Sequence, residues 1–173
     1  MQDRDYDLAM EAIGRSETNV LDIQNVFAPL DLLRGLTELY LGDRDKTAGY
    51  LESANAVLES KFKDSPDDPR IFSALGFVHA GLGEKDKALE AAQAASELLP
   101  VSMDAMAGPG YILNYAITYA MLDQHDAAIG KLEEFFSQPN RWSLNVLLRY
   151  PDFEKLHDEP AFEALVEKYR VRD

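Results

Sequence analysis

"RIFSALGFVHAGLGEKDKALEAAQAASELLP", Arg70 to Pro100, carries two runs of apolar residues at three- and four-residue spacing on either side of a short polar turn. That spacing predicts two helices, each with one buried face, folded back on one another. The stretch has two counterparts. "LGDRDKTAGYLESANAVLES" from Leu41 and "LDQHDAAIGKLEEFFSQP" from Leu122 repeat the leucine, polar turn and amphipathic helix that begin at Leu82. Each is preceded by a further helical pattern: "DLLRGLTELY", "RIFSALGFVHA" and "YILNYAITYAM". The unit is helix, short turn, helix. Small residues recur where two such helices must approach closely: Gly76 or Ala116 in the first helix, Ala88 or Ala128 in the second. Thr47, Ala88 and Ala128 stand 41 and 40 residues apart.

The middle unit follows the tetratricopeptide pattern W-x2-L-G-x2-Y, then A-x3-F, then P. Phe72 takes the tryptophan place, Leu75 and Gly76 match, His79 stands at the tyrosine, Ala88 matches, Ala92 stands at the phenylalanine and Pro100 ends the unit. The third unit offers Ile112, Tyr115, Ala116, Tyr119, Ala128 and Leu132. The first keeps Gly35 and Leu51, with Thr47 at the alanine place. The spacing exceeds the usual figure of about 34, which longer second helices and loops such as "KDSPDDP" accommodate. "DLAMEAI", Asp7 to Ile13, superposes on "DKALEAA", Asp86 to Ala92. The chain is therefore expected to begin at the second helix of a repeat and to be a fragment of a longer protein. The alternative is that Asp3 to Arg15 is a simple N-terminal capping helix.

From about Leu36 to Tyr169 the chain resembles the C-terminal tetratricopeptide region of large bacterial multidomain regulators. The telling pieces are "LLPVSMDAMAGP" and "LLRYPDFEKLHDEPAF". In those families the repeats follow a class III nucleotide cyclase, a Ser/Thr kinase or a winged-helix regulator, often with a transmembrane helix and a TolB-like segment between. Their usual basic residue is replaced here by Met103, and their aromatic pair after Gly-Pro by Gly110 and Tyr111. The resemblance implies an interaction module with no catalysis of its own, in the cytoplasm or on the periplasmic side of a membrane-anchored parent.

"LLRYPDFEKLHDEPAFEALVEKY", Leu147 to Tyr169, reads as the closure of such a row. Stacked helix pairs leave a last apolar face that a terminal cap must cover. A short helix is predicted over Trp142 to Arg149. Pro151 breaks it, Pro160 starts a final helix, and Phe153, Leu156, Phe162, Leu165, Val166 and Tyr169 supply the buried side. The fold predicted is an all-α helical-hairpin solenoid without strand pairing. Residues 1–17 form the second helix of a truncated repeat, 29–64, 69–100 and 109–140 three repeats, and 142–170 the cap.

Composition narrows the function. Lys and Arg total 17 against 31 Asp and Glu, a net charge of -14 over 173 residues, which repels nucleic acid and anionic membrane surfaces. Cysteine is absent, so disulfide frameworks and Cys zinc sites are excluded. "MQDRDYDLAM" lacks a basic stretch followed by an apolar one, and no segment approaches the roughly 18 apolar residues of a membrane span, so neither leader nor anchor is expected. His79, His125 and His157 are far apart and no second ligand stands at i+4, so no metal site is predicted. His79 is expected to be a packed histidine. Asp67-Asp68 and Glu133-Glu134 read as solvated charge, and "GPG" at 108–110 as the corner before a helix. No catalytic motif is present, and no cofactor is expected.

The remaining candidate is the concave face that the first helices of such an array line. Leu32, Leu36, Leu39 and Tyr40, then Arg70, Ser73 and Phe77, then Leu113, Asn114, Ile117 and Met121 are predicted to face it. The Lys and Asn clamp for a C-terminal carboxylate is missing. A mostly apolar groove suits an amphipathic helix or an extended apolar peptide. Against this, upstream repeats of the parent chain, Asn19 to Ala28 or Val101 to Ala107 could fill it. The runner-up function is a small-ligand sensor or enzyme on a helical solenoid, which a closed pocket with converging titratable groups would favour.

Overall fold

The computed structural model describes residues 5–140 and 142–170. Three packed helix pairs dominate it: α2 (Leu30–Leu41) with α3 (Arg44–Asp64), α4 (Pro69–Gly81) with α5 (Lys85–Leu98), and α6 (Gly108–Met121) with α7 (His125–Ser137). Helix α1 (Tyr6–Gly14) precedes them. After them come α8 (Leu144–Leu147), a 3₁₀ segment over Pro151–Leu156, and α9 (Pro160–Arg170). Each pair packs on the next, α3 against α4 and α5 against α6, with α2, α4 and α6 also in contact in succession. The fold is mostly helical, as the apolar spacing predicts. Among the described residues no helix is long and apolar enough to cross a membrane.

One hydrogen-bonded turn closes all three pairs. The amides of Gly42 and Asp43 donate to the carbonyls of Leu39 and Glu38, those of Gly83 and Glu84 to Ala80 and His79, and those of Asp123 and Gln124 to Ala120 and Tyr119. These bonds satisfy carbonyls that the helix end leaves unpaired. The corner residue is left-handed each time, at φ 84° for Gly42, 75° for Gly83 and 55° for Asp123. Glycine adopts that conformation without a Cβ clash, and aspartate is among the few other residues that tolerate it. Thr47, Ala88 and Ala128, the small residues one turn into each second helix, are all buried. The long repeat interval has a visible source in the 21 residues of α3 and in the irregular stretch 99–107.

Glycine makes one helix contact unusually close. A Cβ added at Gly35 would stand 2.6 Å from Cδ2 of Leu51, and one added at Gly81 2.5 Å from its Cδ1. Leu51 is fully buried, so its side chain is a wedge of α3 seated between α2 and α4. Gly76 is less confined, since a Cβ there meets nothing nearer than 3.5 Å.

The expected absence of strand pairing is incorrect at Val20–Pro29. Strands β1 (Val20–Ile23) and β2 (Val26–Pro29) form an antiparallel hairpin, Val20 opposite Pro29 and Ile23 opposite Val26, joined by Gln24 and Asn25. β-Branched and aromatic residues favour the pleated surface, and Pro29 ends the strand where α2 begins. Phe27 and Ala28 of β2 are buried against α2, α3 and α4. The two main core clusters, one around Leu51 and one running from α6 to α9, share Phe77 as a half-buried bridge.

At the far end, α8 spans four residues rather than the whole of Trp142–Arg149, its first turn capped by the Ser143 hydroxyl. Phe153, Leu156, Phe162, Leu165, Val166 and Tyr169 are all buried, and α9 starts at Pro160. At the near end α1 buries no residue and touches α2, with Tyr6 stacked on Tyr40. Residues 1–4 of the predicted 1–17 segment lie outside the described residues.

Candidate functional site

The predicted groove residues sit on α2, α4 and α6, and the structure sorts them into two groups. Leu36, Arg70, Ser73, Phe77 and Asn114 line a single hollow of about 180 Å³, together with Leu32, Leu33 and the hairpin residues Asn25 to Ala28. Leu39, Tyr40, Ile117 and Met121 do not line it. Ile117 and Leu113 are core residues, and Met121 packs on the edge of their cluster. Leu39 is half-buried. Tyr40 donates its hydroxyl to Oδ1 of Asp152 at 2.5 Å, 112 residues further along the chain. The hollow between α2, α4 and α6 is therefore bounded by the hairpin on one side, and Tyr40 is engaged by the 3₁₀ segment. Of the stretches considered as fillers, Asn25 to Ala28 do line the hollow. Val101 instead packs under the C-terminal cluster, where Gly108 lies so close that a Cβ would meet the Val101 backbone at 2.7 Å.

A second hollow of about 180 Å³ shares Asn25, Val26 and Asn114 with the first and adds Tyr111, Trp142 and Tyr150, with the predicted Leu113 and with Ala107 from the end of the Val101 to Ala107 stretch. Together they make an amide- and aromatic-lined depression across α4, α6 and the hairpin tip. Asn114 Nδ2 donates to Ser73 Oγ at 2.8 Å, which orients the amide from below. Burial pushes the Tyr111 hydroxyl up to about 12, so it keeps its proton at neutral pH.

Arg70 is the cation of this depression. Asp68 caps α4 by accepting from the Arg70 amide, and its carboxylate also takes Nε and Nη2 of the Arg70 side chain. Those hydrogen bonds hold the Asp68 carboxyl below the usual carboxylate range, outweighing partial burial, and push the guanidinium further up. The remaining nitrogen, Nη1, crosses to β1, donating to Asp22 Oδ1 at 2.9 Å and to the Ile23 carbonyl at 2.8 Å. Arg70 thereby ties the start of α4 to the hairpin.

No group of three or more His, Asp and Glu stands close enough to hold a metal ion among the described residues. His79 Nδ1 lies 2.6 Å from Glu84 and His125 Nδ1 2.8 Å from Glu159, while the His157 ring stacks on Phe162. The sequence did not point to Tyr111, Trp142 and Tyr150 as neighbours, and it placed Asn19 to Ala28 near the groove but not as a hairpin. The available signal was "VLDIQNVFAP", where two short apolar runs flank a polar pair. Comparison of the chain with protein-family models, with curated proteins and with solved structures gave no match.

Proposed function

We propose that the chain is a non-catalytic interaction module of the tetratricopeptide type, a scaffold segment of a bacterial signalling protein that receives a segment of a protein partner on its concave side. The observation that carries this reading is the hollow where Leu36, Arg70, Ser73, Phe77 and Asn114 converge from three successive helix pairs. Its apolar wall and few oriented amides suit side chains and main chain of a peptide rather than a reacting small molecule. The three identical turns at a repeat interval support the array architecture. Selection of a displayed random-peptide library against the full chain tests it. Enriched sequences are expected to lose at least tenfold in binding to Asn114→Ala, and more to Phe77→Ser. Phe77 touches both core clusters, so Asn114→Ala is the cleaner variant and helicity of both is checked by circular dichroism. A library that yields no binder, or binders indifferent to both substitutions, overturns the reading.

A further inference from the structure

The two strands of the hairpin are held in different ways. β2 is part of the core through Phe27 and Ala28, whereas Leu21, Asp22 and Ile23 of β1 are all exposed, Ile23 to 52%. The main neighbour of β1 is β2 itself. The connection contributes little to closure. Two-residue hairpins favour turns with a positive φ, whose twist matches that of paired strands, and neither Gln24 nor Asn25 has one. Beyond the ladder, β1 is secured by half-buried Val20 packing on the core around Leu51, by the Asn19 carbonyl accepting from the Leu30 amide at 2.8 Å and by Arg70 Nη1 on Asp22 and Ile23.

We propose that β1 is a built-in occupant of a strand-addition site, and that an extended segment of a partner protein replaces it, antiparallel to β2 with a side-chain carboxylate opposite Arg70. Removing β1 leaves the outward main-chain groups of β2 without partners and takes from Nη1 both of its acceptors. A ligand must then restore main-chain pairing and acceptors for Nη1, and a side-chain carboxylate with a strand carbonyl beside it is the chemistry β1 supplies there. An acidic ligand is acceptable to a chain of net charge -14 at this spot because Arg70 Nη1 faces β1 and Lys61 lies over the Phe27 ring of β2, two cations beside the one carboxylate of Asp68. A half-buried apolar residue at the position of Val20 completes the match. The carboxylate here belongs to a side chain within a strand, so no C-terminal clamp is required. β1 is tethered by two residues, and such a tether holds it at an effective concentration of millimolar order or higher. The native chain therefore binds an external strand weakly, and weakening the tether exposes the site.

This proposal rests on the peptide-binding reading of the same depression, and its test can fail separately. Fluorescence anisotropy of a labelled hexapeptide with the sequence of residues 18–23, TNVLDI, is measured against the full chain at low salt. Asp22→Lys is expected to tighten binding roughly two- to fivefold over the native chain, the scale of losing an exposed ion pair. Arg70→Glu should lose TNVLDI and prefer the charge-swapped peptide TNVLKI. Arg70→Gln, which spares Asp68 a like-charged neighbour, should bind both peptides equally if the glutamate variant fails to fold. Equal binding of TNVLDI to the native chain and Asp22→Lys, or an Arg70→Gln variant that still prefers TNVLDI, overturns the proposal. A library-selected binder unaffected by the Asp22 and Arg70 substitutions would leave the groove reading in place and remove this one.

Discussion

The row of helix pairs is covered at both ends, but by different means. Beyond α7, six apolar side chains from the 3₁₀ segment and α9 enter the core continuously with α6 and α7. Before α2, α1 buries nothing, Leu8 is 59% exposed, and only one strand of the hairpin is interior. Local opening costs little where few apolar groups are buried and approaches the global stability where many are. The far end is therefore integral to the fold. The near end can exchange without unfolding what lies beneath it, which is the property a site with a built-in occupant needs.

The largest expected effect lies at the far end. Phe153→Ala should cost about 3–5 kcal/mol, the range for emptying a buried aromatic site, while Leu8→Ala should stay within about 0.5 kcal/mol. Denaturant midpoints measure both, and comparable losses would break the contrast. Ending the chain before Pro151 should go further, exposing the apolar face of α6 and α7, with dye binding and self-association detected by light scattering. A middle-sized effect confines the laxity to the periphery. Gly81→Ala should destabilise by about 1–3 kcal/mol because the new methyl meets the fully buried Leu51. Gly76→Ala has ordinary contacts and should be neutral or gain up to about 1 kcal/mol from reduced chain entropy. If Gly81→Ala were harmless, the first helix pair would be as loosely held as the hairpin outside it.

The smallest effect is acid-dependent. The Asp68 carboxyl is depressed in the folded chain, so its stabilisation is present above the ordinary carboxylate value near 4 and is lost as pH falls through the lower folded value. Protection factors of the amides at β1 and at the start of α4, rates corrected for intrinsic exchange, should be steady at pH 5 and fall below about pH 4. Amides of α9, docked by apolar burial, should keep their protection over the same range. Simultaneous loss at both ends would remove the distinction.

Much of this arrangement is legible in the residues. Apolar spacing marks the helix pairs, small residues mark their close contacts, and two prolines frame the terminal segment whose six buried residues follow from helical periodicity. The hairpin escapes because its strands are four residues each, too short for alternation to emerge, and because Gln24–Asn25 lacks the glycine that announces a tight turn. The groove is legible only in part for a different reason. Which residues of α6 reach a concave surface depends on how far successive pairs rotate, a property of packing between units rather than of any one helix. Ile117 thus belongs to the core, and Tyr40 to a contact with a segment 112 residues away.

That last contact bears on how the molecule comes apart. A row in which every helix pair touches only its neighbours loses structure like a zip, one unit at a time, with partly folded species populated between. The hydrogen bond from Tyr40 to Asp152 joins the first pair to the segment after the third, turning the row into a loop. Opening the zip from either end must then sever the loop as well, which couples the first pair to the last and favours a single transition. Tyr40→Phe keeps the ring that stacks on Tyr6 but removes this bond, so the transition should broaden, a change in its shape more than in its midpoint.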